Sequence, residues 1–474
     1  MRKKLNTFYL FSNTLYPHEL EYLLSIQSFN KPVNLNILKQ IYINSTSSQM
    51  PKSFDTEEDK RTYTYLKTWI TDTLAKIDVD LYFEWLISTE KKVLTDIIVP
   101  ADEVVLLNNM KKIGPTNYNF IRFYELAQYY RDYLMVRNRT KYNKVVSEFL
   151  SKYHEQYHLL KKINLELDEV TAEIVKKEEF SEDESSYIEN FLHTIYFNES
   201  LDAYTRYRAV VRLTIYYYNN RQFQKQAVVY QHLDEMLKTP LFYSKRILAN
   251  YYANRAMMHS KLNELAQSEK YGYLSIQNKN SDYLFYLINL CGVLLKQGKN
   301  EEALKLMRKS MPELKNTNNN YYKIGFNSFY IRTLIYNGQS EKAVEYAAHY
   351  FDAYKKEIFE HRWHLFFRSY IHALISTEKY GKILSLCKRY KLLTKEKHRI
   401  ERIDYLPIIQ SYYYLAEYME SIISKEKLIS SIIKTYTNLM DDNYRSQKIN
   451  ELLSELMPNI PEEIKVIKKS LILN

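Results

Sequence analysis

One segment, Gln297-Gly298-Lys299-Asn300-Glu301-Glu302-Ala303-Leu304-Lys305-Leu306-Met307-Arg308-Lys309-Ser310, constrains this chain more than any other. A glycine turn opens a helix in which Ala303, Met307 and Ser310 recur at i, i+4 and i+7, so these small and apolar residues share one face. The pattern returns at Asn337-Gly338-Gln339-Ser340-Glu341-Lys342-Ala343, followed by Ala347 and Tyr350. It returns more weakly at Leu262-Asn263-Glu264-Leu265, followed by Ser268, Gly272 and Ser275. Small residues let a second helix approach closely, and their periodic return marks an internal repeat.

Turn residues are too scarce for the main alternative. Seven glycines and ten prolines in 474 residues fall far below the usual frequencies of about 7% and 5%, which argues against a sheet-rich fold and predicts an all-α one. The same scarcity excludes most glycine-cradled phosphate sites. Gly292 to Lys299 has one residue too many between its glycines for a phosphate-binding loop and no Ser or Thr after Lys299, so it reads as helix, turn, helix.

The repeat resembles the second helix of the tetratricopeptide repeat, whose helix pairs stack into a solenoid. Anchoring on the small-residue position gives Gln226 (or Ala227), Ser268, Ala303, Ala343 and Ile383. From Ser268 the intervals are 35, 40 and 40 residues, against about 34 in the family. The polar insert Asn316 to Asn320 lengthens the spacing, and the family's proline after the second helix is missing or misplaced at Pro312. The resemblance implies an α-α superhelix that binds ligands against its first helices. Carried onto this chain, that surface comprises Arg208, Asn250, Met257, Lys261, Lys296, Arg332, Tyr336, Arg368 and His372. Five of these nine are Lys or Arg and none is acidic, which suits an acidic, partly apolar peptide or protein. The family's pattern for clamping a terminal carboxylate is not reproduced.

The periodicity divides the chain into an N-terminal helical head (1–113), connecting helices with an acidic junction (114–186), helix-pair repeats (187–424) and capping helices (425–474). In the head, Phe29-Asn30-Lys31-Pro32 is a break and Asn44 to Ser53 a loop. A helix is predicted from Thr56, with Glu57, Glu58 and Asp59 in its first turn. Ser28-Phe29-Asn30-Lys31 with this helix order resembles the head of uncharacterised bacterial repeat proteins. A helix-turn-helix over residues 15–43 is disfavoured by Pro32 and by the apolar start of its second helix. Gly114-Pro115 ends the head, two or three helices fill 118–178, and Glu178 to Glu184 is a solvated junction or helix start. The last fifty residues supply the closing helices that a solenoid needs over its final apolar face.

The net charge of +11 is uneven: residues 1–180 hold 25 Lys and Arg against 24 Asp and Glu, so nearly all the excess lies beyond. That half is the one to face an acidic partner. Cys291 and Cys387 sit in separate apolar stretches, as buried free thiols of a reducing compartment do. Asn6, Ser12 and Asn13 interrupt the apolar run after Met1-Arg2-Lys3-Lys4, so no signal peptide is read there, and no stretch approaches 18 apolar residues. A cytoplasmic protein without membrane insertion is expected. The 47 tyrosines accompany abundant Lys, Asn and Ile, all with AT-rich codons, and fit helix-pair interiors better than base-stacking platforms.

Three constellations carry possible chemistry. His154-Glu155-Gln156-Tyr157-His158 matches H-E-x-x-H, which puts two imidazoles one helical turn apart beside a general base, with Glu178 at a third-ligand spacing. Lys152, the Lys161-Lys162 pair and the lack of a sheet edge weigh against a zinc hydrolase, and the competing reading is a solvated helix face. His361, His364 and His372 fall within about 80° on one predicted helix, but His372 lies about 12 Å along the axis from His364, too far to share a metal. Packing or surface roles follow. Finally, Lys379, Lys382, Lys388, Arg389, Lys391, Lys395, Lys397, Arg399 and Arg402 stand against only Glu396 and Glu401, a patch able to engage phosphates or to form a solvated face. The expected function is a non-enzymatic protein-protein interaction scaffold without cofactor, with nucleic-acid binding through the basic run and zinc-dependent hydrolysis as alternatives.

Overall fold

Gly298 and Gly338 turn the chain at φ +75° and +69°, a left-handed conformation natural to glycine. Helices Asn300–Lys309 and Ser340–Glu360 start two residues later. Elsewhere the turns use other residues: Asp96, Asn138, Arg221, Asn263, Glu378, Lys391 and Ser421 take φ between 50° and 61°. The repeat faces are buried as their spacing predicts. Ser268, Ala303, Met307, Ala343 and Ala347 have no exposed surface, with Ser310 at 1%, and Gly272 and Ser275 are also buried. A Cβ on Gly272 would lie 2.8 Å from Leu290 Cδ1, which shows how closely the neighbouring helix approaches. Gln226 and Ile383, the outer anchors, are buried as well.

The computed structural model describes residues 3–46, 53–54, 59–176, 180–399, 405–439 and 443–472. These form twenty-six α-helices and two short 3₁₀ turns, with no strand among the described residues, so the protein is all-α. No described helix is long and apolar enough to cross a membrane. The chain divides into two compact units, 1–258 and 259–474.

In the first unit, Asp59 caps the Lys60–Ile77 helix through a bond from the Arg61 amide, one turn later than predicted; Glu57 and Glu58 lie outside the described residues. Three helices, Phe120–Val136, Thr140–Lys152 and His154–Lys176, fill the connecting region. Beyond it, Ser181 and Glu184 form a reciprocal capping box on Glu182–Phe197, whose acidic first turn complements the helix dipole. The Pro17–Ile26 helix is fixed by a buried polar network. His18 Nδ1 meets Tyr252 Oη at 2.6 Å, His18 Nε2 meets Asp234 at 3.2 Å, and Asp234 also accepts from Arg255 at 2.8 Å and from Tyr251. Fully buried Glu19 accepts from Tyr243 Oη at 2.6 Å and the Tyr16 amide at 2.7 Å.

In the second unit, helices Tyr283–Lys296, Asn320–Tyr336, Trp363–Ile375 and Ile408–Met419 each pack against the next. Each is followed by a partner helix: Asn300–Lys309, Ser340–Glu360, Tyr380–Arg389 and Lys425–Tyr436. This order of stacked pairs is compatible with a helical-repeat solenoid. Pro312 starts a short extra helix, Met311–Asn316, which accounts for part of the long spacing. The prediction of one helix for His361, His364 and His372 needs correction. Ser340–Glu360 kinks at Tyr354 and ends before His361, and a new helix starts at Trp363. Helix Asn443–Leu456 buries Ile449, Leu452, Leu453 and Leu456 in the core shared by these pairs, each worth about 1.5–3 kcal/mol. Pro461–Ile472 packs beside it. Cys291 and Cys387 are buried free thiols, and burial pushes both up to about 12, which leaves them unreactive.

Candidate functional site

Four of the residues expected to line a ligand surface stand on two neighbouring helices one turn apart: Arg332 and Tyr336, then Arg368 and His372. Spacing of i, i+4 places each pair on one face, and the packing of the two helices brings the pairs together. The Tyr336 and His372 rings lie 5.9 Å apart, edge to face, and His372 stacks 6.4 Å from Tyr412 of the following first helix. Tyr412 continues the same register one repeat further on.

The group at the focus of this cluster is an acid from the chain's own C-terminal region. Glu455 Oε1 accepts from Tyr336 Oη at 3.3 Å and lies 3.5 Å from an Arg368 nitrogen and 3.7 Å from an Arg332 nitrogen. Glu455 Oε2 accepts from Tyr412 Oη at 2.9 Å. Burial opposes ionisation here, but Arg368, His372 and Arg332 outweigh it and hold the carboxyl well below the usual carboxylate range. The same burial pulls the His372 imidazole down, to about 4, so it is neutral near pH 7. Two guanidiniums, two phenols and a neutral imidazole thus form a carboxylate receptor of charge-assisted hydrogen bonds.

Lys296 and Lys261 lie in the same unit. Burial pulls Lys296 down to about 8, aided by the charges of Lys448 and Lys261, while Glu451 opposes the shift. Lys448 also donates to Glu451 at 2.5 Å. The remaining predicted residues belong to the first unit. Arg208 donates to Asn164 and Asp168 on the wall of a cavity of about 720 Å³, which Arg212 and Arg246 also line. Asn250 accepts from Asn254 at 2.9 Å, and Met257 is half-buried. These three do not join the Glu455 cluster.

The basic run separates into structural and solvated parts. Lys379 pairs with Glu341 at 2.6 Å. Lys382, Arg389, Lys395 and Arg399 lie over the rings of Tyr370, Tyr390, Phe359 and Tyr405. Lys388, Lys391 and Lys397 are exposed, and Arg402, with Glu401, lies outside the described residues. Glu396 faces inward and accepts from the Ile409 and Gln410 amides at 3.1 and 2.7 Å and from Tyr405 Oη at 2.6 Å, capping Ile408–Met419. Burial pushes it up to about 7.

The His154 and His158 rings lie 4.3 Å apart, tilted by 53°, on the exposed side of their helix, while Tyr157 faces inward against Tyr124. No three His, Cys, Asp or Glu side chains among the described residues are placed to hold a metal; Glu178 is outside them. Sequence reasoning missed Glu455, Lys448, Glu451 and Tyr412. One more step of the repeat register finds Tyr412, whereas no local signal marks the other three. Comparison of the chain with protein-family models, curated proteins and solved structures returns no match.

Proposed function

We propose that this protein is a non-enzymatic, tetratricopeptide-like interaction scaffold of the cytoplasm, and that the groove of its second unit takes an acidic, partly apolar segment of a partner protein. The observation that carries this reading is the convergence of Arg332, Arg368, Tyr336 and Tyr412 on the Glu455 carboxylate. These side chains recognise an acid on an amphipathic helix, the chemistry inferred from the basic lining. A buried ion cluster adds little net stability compared with an apolar seam, so specific recognition is the better account of it.

Affinity capture from the native lysate tests the reading, with intact protein run beside the Lys261→Ala/Lys296→Ala and Arg332→Gln/Arg368→Gln pairs and each sample divided for nuclease treatment. Matched circular dichroism spectra confirm folding. A protein that survives nuclease and is lost with the groove substitutions is the expected result. Partners indifferent to the groove would overturn the reading, and recovery that depends on nucleic acid would transfer the function to the exposed cations Lys388, Arg389, Lys391 and Lys397.

A further inference from the structure

In the first unit, the helix Ala203–Asn219, capped by Asp202 at the Thr205 amide, carries Tyr204, Tyr207, Arg208, Val211 and Arg212 at i, i+3, i+4, i+7 and i+8. That spacing is the stripe a helix normally fills with apolar side chains for its core. Here the stripe lines the cavity of about 720 Å³, a size that holds a small molecule. The lining carries five cations, and three of them are matched by acids. Arg246 holds Asp80 through Nε at 3.0 Å and Nη2 at 2.6 Å, Arg122 meets Glu125 and Glu90 at 2.8 and 3.3 Å, and Lys161 meets Glu125 at 3.1 Å. Arg208 and Arg212 have one carboxylate between them. Asp168 accepts from Arg208 and lies 3.8 Å from Arg212, whose own bonds go to the Thr171 hydroxyl and the Arg208 carbonyl. The two arginine side chains are only 14% and 17% exposed, whereas Asp168 is 61% exposed. Burial and the Arg208 charge draw Arg212 below its ordinary value. Two largely buried like charges over one solvent-facing acid cost stability, and a further anion would complete them. Beside them the cavity has an aromatic wall: Phe83 and Tyr204 are 38% and 41% exposed, and the Tyr204 ring is braced edge-on by Tyr118 at 5.4 Å.

We propose that this cavity binds a small phosphate monoester that carries a planar ring, a molecule of mononucleotide size. A phosphoryl group is close to a dianion at neutral pH. It takes both the Arg208 and Arg212 guanidiniums, whose forked donors fit its oxygens, while Asp168 turns into the solvent it already faces. A monocarboxylate neutralises only one of the two. Tyr204 stands one helical turn before Arg208, so a ligand with its phosphate on the arginine pair reaches the aromatic wall with its ring, which stacks there. The matched pairs, Arg246 with Asp80 and Lys161 with Glu125, fix the surrounding side chains in place. Every residue invoked belongs to the first unit, so the site does not depend on the scaffold reading of the second.

The test is isothermal titration calorimetry on the full chain in a buffer free of phosphate, at about 0.15 M chloride so that surface charges are screened. Phenyl phosphate, AMP and UMP serve as ring-bearing monoesters, inorganic phosphate as the dianion without a ring, and benzoate as the ring with a single charge. At least one of the three monoesters should saturate one site per chain, about tenfold or more tighter than inorganic phosphate or benzoate, the worth of one stacked ring or one charge-assisted bond. Arg212→Gln should weaken that binding about tenfold or more. Tyr204→Ser should weaken the monoester by a similar factor and leave inorganic phosphate unchanged. Asp168→Asn should tighten every phosphate ligand by about threefold, because its carboxylate no longer competes for the arginines. Circular dichroism spectra matched to the unaltered chain confirm folding. No binding by any of the three monoesters would overturn the proposal, as would benzoate or inorganic phosphate binding as tightly as they do. Affinity unchanged in both R212Q and Y204S would also overturn it, since the ligand would then sit elsewhere. If R212Q fails to fold, Y204S and D168N decide, both being at exposed positions: opposite shifts support the site, and any other pattern removes it.

Discussion

Replacing Glu455 by glutamine keeps the shape of the side chain and removes its charge, and its effect can be worked out from the distances. At an effective dielectric of about 20, guanidinium nitrogens at 3.5 and 3.7 Å each attract the carboxylate by about 4–5 kcal/mol before desolvation is counted. Desolvating the carboxylate offsets much of that sum. Deletion of one partner from a buried ion cluster nonetheless costs about 3–5 kcal/mol, because the remaining charges are left uncompensated. Glutamine still accepts the tyrosine bonds, so a value near 3 kcal/mol is expected, roughly a hundredfold in an opening equilibrium. The four buried apolar side chains remain, so the helix stays docked in most molecules but opens more often. Hydrogen exchange at neutral pH should show residues 443–456 exchanging roughly a hundredfold faster in E455Q, with the Tyr283–Lys296 and Asn320–Tyr336 helices changed little. Unchanged exchange in the segment, or equal acceleration throughout the second unit, would refute the reasoning.

Acid should loosen the same contact. His372 is held neutral below its ordinary value, so its contribution is complete above about pH 6.5 and is lost as the pH falls toward 4; the depressed Glu455 contribution is lost below about 4.5. Denaturant midpoints should therefore fall between pH 7 and 4, and His372→Gln should flatten the upper part of that fall. Glu396 acts in the opposite direction. Its raised value near 7 favours the protonated folded form, so its contribution is present below about pH 4.5 and fades as the pH rises through 7; Glu396→Gln should abolish this slope in urea titrations. In the first unit, Asp234→Ala removes the shared acceptor of Arg255 and Tyr251 and should cost about 3–5 kcal/mol by chemical denaturation, whereas a cost under about 1 kcal/mol would show that the network is incidental. Metal analysis of the purified protein should find far less than one zinc per chain, and His154→Ala/His158→Ala should leave the melting temperature unchanged.

What could be read from the sequence was what local periodicity encodes. Ala303, Met307 and Ser310, and Ser268, Gly272 and Ser275, were legible because a close helix contact demands small side chains at fixed helical intervals. Arg332, Tyr336, Arg368 and His372 followed because helix pairs of regular length repeat their register. Glu455 was not legible, since it meets Tyr336 across 119 residues and its own segment carries only the amphipathic pattern of any surface helix. Arg208, Asn250 and Met257 were assigned by extending the register past its most regular stretch, and they lie in the other unit. The error over His361 has a similarly local cause: no proline or glycine marks the break between Glu360 and Trp363. His18 and Glu19 drew no attention because their partners, Asp234, Tyr252 and Tyr243, lie more than two hundred residues away.

The seven non-glycine residues at left-handed turns reverse the usual expectation about mutational tolerance. Each holds a conformation that costs an ordinary L-residue about 1 kcal/mol, somewhat less for Asn and Asp. Mutation to glycine, which weakens most helical proteins, should relieve strain at Arg221, Glu378, Lys391 and Ser421. A chain so poor in glycine thus carries a latent reserve of stability at its corners, away from the groove, on which changes in the groove itself could draw during adaptation to a new partner.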